Sequence, residues 1–79
     1  MRARAKIDSG ASGPTCSDRL PLLRIRRQTP VRVGAYDGSV RDVWEYIKPV
    51  EMQVLGHSEL ISFDVVPTPP DIDVYLPNW

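Results

Sequence analysis

From Arg2 to Ile7 the chain alternates strictly, with Arg2, Arg4 and Lys6 on one side of an extended backbone and Ala3, Ala5 and Ile7 on the other. Period-two alternation is the mark of a half-buried strand. It returns at Val31-Arg32-Val33, from Val40 to Ile47, from Val50 to Leu55 and from Glu59 to Val66, where Ile61, Phe63 and Val65 lie opposite Leu60, Ser62 and Asp64. Turn residues separate these runs. Asp37-Gly38 stands between two alternating arms, and a tight primed turn needs residues that tolerate positive φ, so Tyr36-Asp37-Gly38-Ser39 predicts a hairpin tip. Gly56-His57 predicts a second turn. Pro67-Thr68-Pro69-Pro70 ends the ladder, because proline donates no backbone hydrogen bond, and Ile72 to Leu76 reads as a last short strand. Ser9 to Ser17 is small and polar around Gly13-Pro14 and reads as a loop. Leu20 to Ile25 is apolar but interrupted by Pro21, and fits either a short strand or a turn of helix. The expectation is an all-β fold, one small domain over residues 1–79 with about six short strands.

A chain of 79 residues buries only about 60% of its unfolded surface, so its stability alone is marginal. Small scaffolds compensate with disulfides, a metal or oligomerisation. One cysteine, Cys16, forms no internal bridge, and one histidine, His57, builds no Cys/His metal constellation. No metal or other cofactor is expected, and oligomerisation remains. No run approaches the roughly 18 apolar residues of a membrane span, and Met1 to Lys6 has no apolar signal-peptide core. The expectation is therefore an intracellular, cytoplasmic chain with no membrane partner.

Net charge is zero but unevenly spread. Residues 1–32 hold eight Arg/Lys against Asp8 and Asp18; residues 33–79 hold two basic against eight acidic side chains. The basic third, with Arg24, Arg26 and Arg27, fits either phosphate binding or attraction between the two halves of one fold. Attraction is the preferred reading, since all six aromatic residues lie beyond residue 35 and none interleaves the basic stretch as a stacking platform would. Nucleic acid is not expected as a partner.

The alternating strand at the start runs directly into Ile7-Asp8-Ser9-Gly10-Ala11-Ser12. Glycine permits the sharp turn that aims a side chain off a strand end, which is how a catalytic carboxylate would be presented. An ordinary turn aspartate fits the same pattern. Cys16 reads as a loop thiol without chemistry, and His57 as a solvated turn residue. Trp44, Tyr46 and Phe63 fit the core or the walls of a groove, the core being preferred.

Three segments, in order along the chain, resemble the retropepsins, the aspartic peptidases of retroviruses and long-terminal-repeat retrotransposons. Ala5-Lys6-Ile7-Asp8-Ser9-Gly10-Ala11-Ser12 looks like their catalytic box. Thr29 to Ser39 is similar to the segment entering their flap hairpin, especially in gypsy-type elements, and Val54 to Val66 resembles the hairpin that follows. The resemblance implies a small closed lobe that pairs as a homodimer. It implies Asp8, Ser9 and Gly10 as the catalytic turn, Ser9 bonding across the dimer, and Ala11, Tyr36, Asp37, Gly38 and Ser39 as substrate contacts. The Tyr36 to Ser39 turn would close as a flap on an extended peptide or polyprotein, although a plain surface hairpin fits it as well.

Three departures accompany the resemblance. Lys6 stands where the family prefers an apolar residue. Asp73-Val74-Tyr75-Leu76-Pro77-Asn78-Trp79 has no glycine, where the family carries one near the active site. The family's upstream strand, downstream helix and terminal strand have no counterpart in these residues, so the lobe is expected to be truncated at both ends. Because Asp-Ser-Gly occurs once and Asp37-Gly38-Ser39 has another order, a second carboxylate would come from a second chain. The rival expectation is an inactive module that keeps the fold without the dimer.

Overall fold

The computed structural model describes residues 1–77. Six strands form one sheet: β1 (Ala5–Ile7), β2 (Thr15–Cys16), β3 (Arg24–Gly34), β4 (Val40–Val54), β5 (His57–Val65) and β6 (Val74–Leu76). Their order across the sheet is β1-β6-β2-β5-β4-β3. The fold is all-β, as expected. The sheet curls into half a barrel, with β1 and β3 as its two edges, so the lobe is open between them.

The last strand occupies the middle of the first half. β6 runs parallel to β1, pairing Ala5 with Val74, Lys6 with Tyr75 and Ile7 with Leu76, and antiparallel to β2, pairing Thr15 with Tyr75 and Cys16 with Val74. Its three residues are all buried. The proline-rich segment before it supplies few backbone donors, and Arg19 supplies them instead. Its guanidinium donates to the carbonyls of Thr68 (3.2 Å), Pro69 (2.9 Å) and Ile72 (2.9 Å) and to Thr68 Oγ1 (3.0 Å), and the Thr68 hydroxyl donates to Ile72 O. Arg4 ties β1 to the same segment. Its amide donates to Asp73 Oδ2 at 2.9 Å, while Asp73 and Val74 donate their amides to Arg4 O. These bonds from Arg4, first its amide and then its side chain, hold the Asp73 carboxyl below the usual carboxylate range.

One face of the sheet carries the main core: Cys16, Ile47, Ile61, Phe63, Val74 and Leu76, with Leu20, Leu22, Val50, Met52 and Val65 packed against it. A second cluster, Val33, Val43 and Val66, lies just behind the tip of the β3–β4 hairpin. Opposite sides of β5 separate as the alternation predicts, since Ile61 and Phe63 are buried while Leu60 is 69% exposed.

Several expectations change. The first strand is not half-buried: all three residues of β1 are exposed, because an edge strand has one neighbour and nothing among the described residues covers its Ala5 and Ile7 side. The Ser9 to Ser17 loop contains β2, and Cys16 is fully buried at the centre of the core. Leu20 to Leu23 is neither strand nor helix but a run of bends, and β3 begins at Arg24. Val40 to Ile47 and Val50 to Leu55 form one strand, β4, whose irregularity against β5 falls between Ile47 and Val50, around Pro49. Ser62 Oγ donates to Ile47 O at 2.6 Å there. The second turn is Leu55-Gly56, one residue earlier than expected, and both residues have positive φ (49° and 80°) as a primed turn requires. Trp44 and Tyr46 are not core residues. Val43 and Ile47 take the buried positions of this stretch, and the two rings lie under guanidinium groups from β3, Arg26 over Trp44 at 4.9 Å and Arg27 over Tyr46 at 4.6 Å. Asn78 and Trp79, the end of the glycine-free run, lie outside the described residues.

Two outcomes follow. Arg19→Ala should lower unfolding free energy by about 1.5–3 kcal/mol, because charged donors to several carbonyls are lost. Arg19→Lys should recover little of it, since an ammonium cannot reproduce the fork; full recovery in urea titrations would refute the account. Burial, and then the nearby Asp64 carboxylate, pushes the Cys16 thiol up from 9.0 to about 11. The folded state therefore resists the thiolate, and this contribution to stability is complete below pH 9 and lost as pH rises through about 11. At pH 8, iodoacetamide should label native Cys16 at least about a hundredfold more slowly than the unfolded chain, as followed by mass spectrometry.

Candidate active site

β1 ends at Ile7, and the next amide, Asp8 N, donates to Leu76 O at 2.8 Å, extending the β1–β6 pairing by one bond. The chain then turns. Ala11 N donates to Asp8 O at 3.0 Å, and Gly10 N donates to Asp8 Oδ1 at 3.0 Å. The carboxylate is thus oriented by the backbone of its own turn, a local bond that aspartate makes readily. A Cβ on Gly10 would stand 3.3 Å from Asp8 Oδ1. Any side chain there would crowd the carboxylate, which gives a physical reason for glycine two residues after Asp8.

The Tyr36 to Ser39 turn is the hairpin tip between β3 and β4. Gly38 N donates to Ala35 O (3.0 Å) and Ala35 N to Ser39 O (2.7 Å). Inside the turn, Ser39 donates to Asp37 Oδ1 from both its hydroxyl (2.6 Å) and its amide (3.0 Å). Those bonds, the hydroxyl first, hold the Asp37 carboxyl below the usual carboxylate range. Gly38 has φ +84°.

The two turns face one cleft of about 240 Å³, lined by Asp8, Gly10 and Ala11 from one and Gly34, Ala35, Tyr36 and Gly38 from the other, with Thr15, Val66 and Tyr75 as its floor. Of the residues expected at a site, Asp8, Gly10, Ala11, Tyr36 and Gly38 are brought together here. Ser9, Asp37 and Ser39 do not line the cleft: Ser9 is exposed on the turn, and Asp37 and Ser39 bond each other. Asp8 is the one carboxylate among the lining residues.

Sequence reasoning missed the floor. Tyr75 is 7% exposed, and desolvation, with Asp71, Tyr36 and Asp8 nearby, pushes its phenol up, so it stays protonated. The alternation of Asp73-Val74-Tyr75-Leu76 did set Tyr75 on the side opposite Val74 and Leu76, but nothing local indicated that this strand lies beside β1. His57 is exposed near Glu59, 3.4 Å away, and does not line the cleft. Comparison of the chain with protein-family models, with curated proteins and with solved structures finds no match.

The two glycines at the hairpin tip should respond differently to alanine. Gly38→Ala forces a side chain into the left-handed region and should cost about 1–2 kcal/mol. Gly34→Ala meets nothing within 4 Å and has no such backbone, so it should be neutral or gain up to about 1 kcal/mol. Equal thermal shifts for the two variants would contradict the turn geometry.

Proposed function

We propose that this chain is one half of an aspartic endopeptidase, active as a homodimer in which two copies of Asp8 hold the hydrolytic water. The observation that carries this reading is the cleft shared by the Asp8 turn and the tip of a hairpin, two segments that resemble, in the same order, the catalytic box and flap of the retropepsins. Its substrate is an extended peptide, and the resemblance points to a retroelement polyprotein.

The chemistry follows from the pairing. Two carboxylates about 3 Å apart cannot both ionise, so they share one proton and titrate as a unit. The ionised Asp8 takes a proton from the water that attacks the peptide carbonyl. The protonated Asp8 supports the developing oxyanion and then helps protonate the leaving nitrogen. The Gly10 amide, bonded to Asp8 Oδ1, keeps the carboxylate aimed. The flap covers the peptide and excludes water.

One observation favours a second reading, a non-catalytic interaction module. A single chain brings one carboxylate to the cleft, and the glycine that the family carries near the site is lacking between Asp73 and Trp79. Neither reading calls on nucleic acid: Arg24 and Arg27 form ion pairs with Glu45 and Asp64, and Arg26 covers Trp44.

Asp8→Asn keeps the shape and removes ionisation, so it should lower peptide cleavage by at least about a hundredfold while the protein remains folded. Wild-type activity should depend on the square of chain concentration at low concentration, and its pH profile should be bell-shaped. Excess mutant chain should depress wild-type activity by more than dilution. Turnover by the purified mutant would refute the dyad, and a monomer without activity at any concentration would favour the interaction module.

A further inference from the structure

Tyr36 and Tyr75 approach the cleft from opposite sides, one from the hairpin tip and one from the floor. Their ring centroids are 6.4 Å apart and their planes 4° from parallel. Offset parallel rings at this separation attract each other beyond simple burial. The two partners are held very differently. Tyr75 sits in the middle of β6, hydrogen-bonded between β1 and β2, and is 7% exposed. Tyr36 is 52% exposed, on a turn that leaves β3 through Gly34 and Ala35. The strands just behind the tip are anchored by the cluster of Val33, Val43 and Val66. Beyond that cluster, the ring stack joins the tip to the floor.

We propose that the Tyr36–Tyr75 stack is a latch that holds the hairpin tip down over Asp8 in the free chain, so that a peptide enters the cleft only when the stack parts. Its consequence for cleavage rests on the peptidase reading; its existence rests on the geometry of the two rings. Both rings line the cleft that contains Asp8 and Gly10, so an extended backbone passing over Asp8 runs through the space the closed tip occupies. The latch gives the site a closed resting state set by a side chain pair that the turn itself does not need, since the turn is held by its own bonds among Ala35, Asp37, Gly38 and Ser39.

The test is hydrogen exchange of residues 33–43 in the full chain without peptide, measured by mass spectrometry. Tyr36→Ala and Tyr75→Leu should raise exchange of this segment by about three- to tenfold, the population change expected from losing one ring pair. Tyr36→Phe and Tyr75→Phe keep the stacked faces and should exchange as wild type. Should Tyr75→Leu lose its fold, Tyr36→Ala decides alone, because its side chain is largely solvent-facing. Unchanged exchange in Tyr36→Ala, or an equal rise in the Phe variants, overturns the latch. Exchange requires no peptidase activity. A chain that cuts nothing but shows this pattern keeps the latch and loses the peptidase reading; a chain that cuts peptides with exchange insensitive to Tyr36 does the reverse.

Discussion

The Asp8 side of the cleft depends on β6 lying between β1 and β2. Among the described residues, β1 touches the sheet through β6 alone, and β1 carries the Asp8 turn. The Asp8 amide is bonded to Leu76 O, the last residue of that inserted strand. Three buried residues therefore join the beginning of the chain to its other end, and their side chains are divided between two tasks. Val74 and Leu76 enter the core, while Tyr75 faces the cleft. Inserting a strand so late in the chain requires a firm approach segment, and prolines with few donors are a poor material for one. Arg19 makes the segment firm, which links the loop after β2 to the loop before β6 and so closes a ring of contacts around the site's foundation.

The charge asymmetry of the sequence is matched by pairing in space. Arg4, Arg19, Arg24, Arg27 and Arg32, all from the basic third, each approach an acidic side chain from the remainder: Asp73 for the first two, then Glu45, Asp64 and Asp42. Exposed pairs of this kind contribute little individually. Their collective effect is on pairing, since they favour the one arrangement in which the two halves interleave. Two aromatic residues distant from the basic stretch in sequence, Trp44 and Tyr46, sit beneath it in space, because β3 and β4 are neighbours. Arg27 does both, covering Tyr46 and reaching Asp64 at 2.8 Å.

How much of this was legible depended on the range of the signal. Asp37-Gly38 and the alternation of β5 are local, and the structure follows them. The Asp8 turn and the hairpin tip were each visible, but only the fold brings them together. Cys16 was misread because two residues of strand flanked by Ser, Gly and Pro carry no periodicity; its pairing with Val65 and Val74 comes from partners about 50 residues away. Trp44 and Tyr46 were misread because alternation distinguishes two sides of a strand without saying which side is covered. Ile7 was misread for the converse reason: its alternation is sound, but an edge strand's second side need not be buried. Tyr75 combined both problems, being local in pattern and non-local in place.

The single long strand β4 has a mechanical meaning. Val40 to Ile47 pair with β3 to make the hairpin over the cleft and Tyr46 to Val54 pair with β5 in the body of the sheet, so Tyr46 and Ile47 have partners on both sides. Ile47 is held there a third time, by the Ser62 hydroxyl, which donates to Ile47 O. A substitution at Ile47 would therefore act on the hairpin and on the body of the sheet together, although Ile47 does not line the cleft.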